Sequence, residues 1–200
     1  GPTPIGTCGP MRITGGDLRS RRLVAPRSTA TRPTQDRVRE ALFSILTSRG
    51  AFAGAPPQAL DLYAGTGALG LEALSRGAAR CVFVEKARDA LRALDENVRT
   101  LGVADRATVL RVPVDRALFD APRLRDAGPF DLVFLDPPYA ALAETQALLP
   151  SLAARLAPGA IVVLEHASSD AAGVAPGLFL EDTRIYGDTA LSLFAPSAQT

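Results

Sequence analysis

Two short segments of the chain contain residue types whose spacing is suited to chemistry. The first is DLYAGTGALG at residues 61–70, and the second is DPPY at residues 136–139. The first begins within a predicted strand at residues 59–63, and the second directly follows a predicted buried strand at residues 132–135. Glycines in a turn let the backbone approach a ligand closely, whereas prolines bias the residues before them toward extended geometry. The first segment is therefore suited to binding, and the second to holding a reacting group in place.

The first segment satisfies the G-x-G-x-x-G pattern from Gly65 to Gly70. It stands between a predicted strand, residues 59–63, and a predicted helix, residues 68–76, as a nucleotide-binding loop requires. Glu85 follows Gly65 by twenty residues, ends the next predicted strand, and can accept hydrogen bonds from ribose hydroxyls. The glycine pattern alone does not separate a nicotinamide dinucleotide from an adenosyl sulfonium cofactor, and a plain tight turn also satisfies it.

Asp61 favours the sulfonium cofactor. It lies four residues before Gly65, where a carboxylate would repel the negative pyrophosphate of a dinucleotide. S-adenosylmethionine instead offers an ammonium and a sulfonium, both of which a carboxylate attracts. The carboxylate of the cofactor's methionine part can be held by loop amides or by Arg37. The alternative for Asp61 is a capped carboxylate at a strand end.

The second segment predicts methyl transfer to an exocyclic amine. The exocyclic amine of a nucleic-acid base is a poor nucleophile, because its lone pair is delocalised into the ring. The Asp136 carboxylate and the Pro137 carbonyl can accept its two N–H bonds, and Tyr139 offers a ring on which an unstacked base can lie. The amine would attack the sulfonium methyl in line and lose its proton to Asp136 or water. The alternative is a proline-rich turn without chemistry.

The elements that position these segments alternate between strand and helix. A hairpin within residues 12–25 and a helix capped by Thr34 come first. Strands are predicted at 59–63, 81–84, 108–112, 132–135 and 161–164, with two antiparallel strands at 178–194, and helices at 68–76, 87–101 and 142–156. Because the central strands are apolar throughout, we predict an α/β fold: a doubly wound, mostly parallel seven-stranded sheet of Rossmann-like type. In this order the strands before Gly65 and Asp136 are neighbours.

Charge divides the chain into three parts. Residues 1–10 are expected to be a disordered or added extension, residues 11–50 a basic arm, and residues 51–200 the sheet domain. The arm contains nine arginines and three acidic residues, a net charge of +6, whereas the remaining 13 basic and 18 acidic residues give −5. This asymmetry favours a polyanionic partner, although a solvated arginine-rich segment is the alternative.

Other properties narrow the function classes. No apolar run is long enough to span a membrane, and residues 1–10 lack the features of a signal peptide. The two cysteines and single histidine predict neither disulfides nor a metal site, so we expect a cytoplasmic protein. Cys81 is expected in a strand, His166 in a partly exposed loop, and Glu72 in a helix-surface pair with Arg76.

The residues also resemble a known family, the bacterial class I methyltransferases that form N2-methylguanine in small-subunit ribosomal RNA. The similar segments are RITGG at 12–16, RPTQDRVREALF at 32–43, DLYAGTGALGLEALSRGA at 61–78, Glu85 and DPPY. The resemblance implies cofactor contacts at Asp61, Gly65, Gly67 and Glu85, with Asp115 or Val114 beside the adenine. It also implies that the arm, with Thr34 and Arg37, closes the site and binds RNA.

Together, these arguments give three sets of candidate residues. The catalytic set is Asp136, Pro137, Pro138 and Tyr139. The set for S-adenosylmethionine is Asp61, Tyr63, Gly65, Thr66, Gly67, Leu69, Glu85, Lys86, Val114, Asp115, Thr34 and Arg37. The RNA-binding set is Arg12, Arg19, Arg21, Arg22 and Arg32.

The expected activity is methyl transfer to guanine N2 by a monomer acting on small-subunit ribosomal RNA, either free or within an assembling 30S particle. Three alternatives stay open at this point. The first is a DNA adenine-N6 methyltransferase, which uses the same kind of proline loop but usually has an added recognition domain. The second is a nicotinamide-dependent oxidoreductase, and the third is a non-catalytic RNA-binding module of the same fold.

Overall fold

The structure is a computed structural model that describes residues 11–26 and 33–198. Its helices and strands alternate along most of the chain. In chain order they are α1 (Pro33–Ser48), β1 (Gln58–Leu62), α2 (Ala68–Ser75), β2 (Arg80–Val84), α3 (Arg88–Thr100), β3 (Ala107–Leu110), α4 (Arg116–Asp120), α5 (Pro122–Ala127), β4 (Phe130–Leu135), α6 (Leu142–Ala153), β5 (Leu156–Ala167), β6 (Leu178–Tyr186) and β7 (Thr189–Pro196).

The seven strands form one sheet in the order β3-β2-β1-β4-β5-β7-β6. The first five in this order pair in parallel, and β7 runs antiparallel to both β5 and β6. The predicted doubly wound, mostly parallel sheet is therefore confirmed. The chain proceeds from β1 to β2 and β3 on one side and returns to β4 on the other. β1 and β4 thus flank the switch point at which such sheets bind ligands.

Helices cover both faces of the sheet, which explains why its central strands are apolar throughout. One core contains side chains of α1, α2 and α3 against one face, with Phe43, Leu71 and Leu94 fully enclosed. The second core contains side chains of α4, α5 and α6 against the other face. Cys81 is buried in β2, as predicted.

Two parts of the fold differ from the sequence prediction. The short helices α4 and α5 were not predicted, because segments of five and six residues are too short for a clear helical period. The predicted helix at 142–156 ends at Ala153, and β5 starts at Leu156. Pro158 and Gly159 therefore lie inside a strand instead of ending a helix. They fall where the pairing of β4 with β5 is irregular, a position that tolerates proline.

The start of α1 also differs from the prediction. The helix begins at Pro33, so Thr34 lies in its first turn instead of at the N-cap. Proline is favoured at the first helical position because its missing N–H would have no partner there. The side chains of residues 33 and 34 lie outside the described part of the structure, as does Arg32.

The first part of the basic arm folds onto the sheet domain. A bridge between Arg12 and Arg22 confirms the predicted hairpin. Met11, Ile13 and Leu23 are buried in the same core as α1 and α2. The apolar side of the hairpin thus packs into this core, and its polar side faces outward.

Glu72 on α2 connects the hairpin, α1 and the sheet domain. Its side chain is fully buried, so the predicted pair with Arg76 is present but does not lie on the helix surface. One carboxylate oxygen accepts hydrogen bonds from the Thr14 amide (2.9 Å) and the Arg39 side chain (3.1 Å). The other accepts from the Gly15 amide (3.0 Å) and from Arg76 (2.8 Å). One buried carboxylate therefore satisfies four donors from three elements.

Within residues 11–26 and 33–198, no helix combines the length and apolar character needed to cross a membrane.

Replacing Glu72 with alanine is expected to lower the free energy of unfolding by about 3–5 kcal/mol, because Arg39 would remain buried without this partner. Urea titration followed by circular dichroism measures this difference. The exposed Glu96 on α3 provides the matched control, and its alanine variant should change stability by less than about 0.5 kcal/mol. Equal stability of the two variants would show that the buried carboxylate does not hold the arm in place.

Candidate functional site

A cavity of about 920 Å³ opens at the carboxyl ends of β1, β4 and β5. The segments 61–70 and 136–139 face each other across it, and the arm and the β6–β7 turn complete its wall. Its size is within the range of small-molecule and cofactor sites. The sequence-predicted residues on its wall are Asp61, Tyr63, Gly65, Thr66, Leu69, Asp136, Pro137, Pro138 and Tyr139.

The glycines of the binding loop have different tasks. Gly65 has a φ of +58°, and a Cβ atom there would meet nothing within 4 Å, so its backbone faces open space. Gly67 has a φ of +85°, and a Cβ atom there would lie 2.4 Å from Leu94. Gly65 therefore leaves room for a ligand, whereas Gly67 allows the start of α2 to pack closely against α3.

Tyr63 joins the binding loop to the helix that follows the proline loop. Its φ of +57° is unusual for a residue with a side chain and places it in the left-handed region. Its hydroxyl shares a 2.7 Å hydrogen bond with the Thr145 hydroxyl on α6. This strained backbone is held where the two loops meet, as is common at functional sites.

Glu85 holds the binding loop from behind. Its carboxylate accepts hydrogen bonds from the Gly65 amide (2.9 Å) and from the Lys86 and Ala87 amides (2.8 Å each). Neither Glu85 nor Lys86 lies on the cavity wall. The carboxylate keeps lone pairs for further donors, so its contact with a ribose stays a prediction.

Asp61 lies at the base of the cavity, with only 1% of its surface exposed. Its carboxylate accepts a 2.9 Å hydrogen bond from the Gly70 amide in α2. Burial raises the pKa of Asp61 well above its ordinary value, and the charges of Asp136 and Glu85 raise it further, against the lowering effect of the Gly70 amide. The site therefore disfavours the ionised form of Asp61 while the cavity holds no cation.

Asp136 and Glu165 stand side by side on neighbouring strands. Leu135 at the end of β4 pairs with Leu164 of β5, so the next residue on each strand is a carboxylic acid. Asp136 is exposed to the cavity. The surrounding protein nevertheless desolvates its carboxyl group, which raises the pKa of Asp136 to about 6. Burial and the charge of Asp136 raise the pKa of Glu165 to about 8.

The cavity wall has little positive charge with which to balance these three carboxyl groups. Among the described residues that line it, Arg39 is the only lysine or arginine. Its guanidinium is already paired with Asp36 (2.8 Å) and Glu72 (3.1 Å). The cavity is therefore electrostatically suited to a ligand that brings positive charge.

Glu165 and His166 were not among the candidate residues, yet both line the cavity. His166 is buried in β5 rather than in a partly exposed loop, and its ring nitrogens bond to the Ala167 carbonyl (2.9 Å) and the Ser192 hydroxyl (2.8 Å). The signal for Glu165 was its place directly after the apolar run at 161–164. It becomes informative once β5 is placed beside β4.

The structure places other candidate residues away from the cavity wall. Arg37 is exposed on α1, and Val114 and Asp115 lie between β3 and α4. The Asp115 carboxylate caps α4 by accepting a 2.9 Å hydrogen bond from the Leu118 amide. Within the described residues, no cluster of three or more side chains could hold a metal ion.

Two of the candidate RNA-binding arginines are tied down by backbone carbonyls. The Arg12 side chain donates to the Ser20 carbonyl (2.8 Å), and Arg21 donates to the Thr100 carbonyl at the end of α3 (2.6 Å). Arg19 and Arg22 are exposed on the hairpin. Met11, Ala25 and Pro26 line the cavity, so the basic hairpin lies at its rim.

Comparison with known proteins identifies the family. The sequence model of the family described as Conserved hypothetical protein 95 matches residues 11–195. Ribosomal RNA small subunit methyltransferase D of Escherichia coli strain K12 is 37% identical over 195 residues, which cover 96% of this chain and 92% of that protein. The chain belongs to this methyltransferase family. The resemblance seen in RITGG, the glycine loop and DPPY is thereby confirmed.

Solved structures support the same family and fold. The structure of yhhF from Escherichia coli superimposes with a TM-score of 0.77 at 34% identity, covering 96% of this chain and all of that one. SMU.776, whose structure is described as complexed with SAH, has a TM-score of 0.62 at 13% identity and covers 80% of this chain and 49% of that one. At this identity, SMU.776 shows a shared fold only.

Replacing Glu165 with glutamine is expected to change how stability depends on pH. The pKa of Glu165 is about 8 in the folded chain against an ordinary value of 4.5, so its stabilising contribution is complete below pH 4.5 and is lost as the pH rises through about 8. The melting temperature of the ligand-free variant should therefore rise relative to the native chain across this window. Glu96→Gln, an exposed change on α3, is the control, and a difference between Glu165→Gln and native chain that stays constant with pH would contradict the assignment.

Proposed function

We propose that this chain transfers a methyl group from S-adenosylmethionine to the exocyclic N2 amine of a guanine in small-subunit ribosomal RNA. The observation that carries the proposal is the meeting of the glycine loop and DPPY in one cavity. Among the described residues on its wall, the only lysine or arginine is Arg39, which is already paired with Asp36 and Glu72. Membership of a family that contains ribosomal RNA small subunit methyltransferase D supports the choice of substrate.

The residues on the cavity wall fit S-adenosylmethionine. Asp61 and the open space before Gly65 suit the positively charged amino-acid part of the cofactor, because a nearby cation favours the ionised form of Asp61. Glu85, directly behind Gly65, is the candidate for the ribose. The same carboxyl groups disfavour the pyrophosphate of a nicotinamide dinucleotide. When bound, the cofactor supplies an electrophilic methyl group on its sulfonium.

DPPY would hold the amine that receives this methyl group. With a pKa of about 6, Asp136 is mostly ionised at neutral pH and can accept a hydrogen bond from the amine. The carbonyl of Pro137 would accept the second N–H, so that the nitrogen lone pair is left free to attack. Asp136 can then take up the proton released by the amine. The Tyr139 ring, 76% exposed, is available for a base to stack on.

The basic arm would hold the RNA backbone beside the cavity. Arg19 and Arg22 are exposed on the hairpin, and Arg12 and Arg21 are fixed by backbone carbonyls. Arginine side chains in such an arrangement match phosphate groups well. Because the hairpin also contributes to the cavity wall, an RNA strand bound to the hairpin would lie close to DPPY. A base from that strand must leave its stack to enter the cavity.

The proposal is tested by methyl transfer from tritiated S-adenosylmethionine to small-subunit particles, and to their naked RNA, from cells lacking this enzyme, followed by nucleoside analysis. Label is expected in N2-methylguanosine. Asp136→Asn should lower the turnover rate by roughly 100-fold or more, because the proton acceptor is lost. Asp105→Asn, a change at an exposed position outside the cavity wall, is the matched control.

Two results would contradict the proposal. Label on adenine of duplex DNA, with none on RNA, would assign the chain to the adenine-N6 enzymes. Binding of RNA by the native chain without any transfer would assign it to the non-catalytic modules.

A further inference from the structure

The site contains a second carboxyl group beside the one assigned to the amine. Glu165 follows Leu164 on β5 as Asp136 follows Leu135 on β4, and these leucines are register partners in adjacent parallel strands. Neighbouring strands lie about 4.8 Å apart. Both residues line the cavity, and the charge of Asp136 raises the pKa of Glu165. The two carboxyl groups can therefore contact the same ligand.

A pair of neighbouring acceptors matches one nucleic-acid base better than the others. Guanine presents two adjacent donors on its Watson–Crick edge, the ring N1–H and the exocyclic N2 amine. In adenine and cytosine the exocyclic amine is next to a bare ring nitrogen, which is an acceptor. Uracil has a ring N–H but no exocyclic amine. A cationic cofactor bound in the cavity favours the ionised form of Glu165. An ionised carboxylate offers only acceptors, so it attracts an N–H and repels a bare ring nitrogen.

We propose that Glu165 selects guanine by accepting a hydrogen bond from its N1–H while Asp136 holds the adjacent N2 amine. This assignment rests on the proposed methyl transfer and adds the residue that determines which base reacts. It explains why a carboxylic acid is placed beside DPPY although one carboxylate is enough to hold an amine. Glu165 is thus a specificity-determining residue, and the transfer step itself needs only DPPY.

The surroundings of Glu165 support this role. Across the sheet its backbone pairs with Leu191 of β7, an apolar buried residue. The neighbouring His166 is held by the Ala167 carbonyl and the Ser192 hydroxyl. Among the described residues, the Glu165 side chain forms no hydrogen bond or ion pair. The carboxyl group is therefore available to a ligand on the side where Asp136 stands.

The test compares guanine with 2-aminopurine, which keeps the C2 amine but has a bare N1. Each base is placed at the methylated position, once mass spectrometry of nuclease fragments has located it, in otherwise identical RNA. The measured quantity is the ratio of kcat/KM for guanine to kcat/KM for 2-aminopurine. Because both values come from the same enzyme preparation, partial misfolding of a variant cancels from the ratio.

The native chain is expected to prefer guanine, and Glu165→Gln should reduce this preference roughly tenfold or more, since its amide can also donate to the bare N1. Glu96→Gln should keep the native ratio. An unchanged ratio in Glu165→Gln, with a native enzyme that methylates guanine, would overturn the role of Glu165 and leave the proposed function intact. A native enzyme that methylates neither RNA would overturn the proposed function itself.

Discussion

The parallel alignment of β1, β4 and β5 is the constraint on which the rest of the site depends. Parallel strands in register end at one edge, so residues at the carboxyl ends of three separate strands become neighbours. Here those residues include Asp61, Asp136 and Glu165, and desolvation by the surrounding protein raises the pKa of each. Within the described part of the chain, no unpaired lysine or arginine lines the cavity, so the three neighbouring carboxyl groups resist ionisation. The cavity is then matched to a ligand that supplies positive charge.

Glu72, a buried carboxylate outside the cavity, has the opposite environment. Glu72 accepts hydrogen bonds from two backbone amides and two arginines, so its charge is compensated entirely by the protein. The difference separates two tasks. Glu72 fixes the hairpin and α1 against α2 and so places the basic arm at the cavity rim. The carboxyl groups in the cavity are left for the ligand, which is typical of perturbed groups at functional sites.

Local pattern and strand order explain how much of this arrangement the sequence could predict. The glycine loop and DPPY each follow an apolar run, and the doubly wound order requires that they meet, so that part of the site was predictable. Glu165 and His166 also follow an apolar run, but without a motif their position is informative only beside β4. Glu72 was expected on a helix surface because its pairing with Arg76 is local, whereas its burial depends on the hairpin 57 residues earlier. Long-range packing of this kind leaves no periodic signal in the sequence.

The central claim is that the carboxyl groups of the cavity receive a cationic cofactor. It is tested most directly by calorimetric titration of S-adenosylmethionine at neutral pH in buffers with different ionisation enthalpies. Burial raises the pKa of Asp61 well above its ordinary value and raises the pKa of Glu165 to about 8, so the site favours protonation of both groups, whereas a bound cation favours their ionised forms. The account predicts release of protons to the buffer, so that the observed binding enthalpy changes with the buffer. Binding with the same enthalpy in every buffer would contradict it.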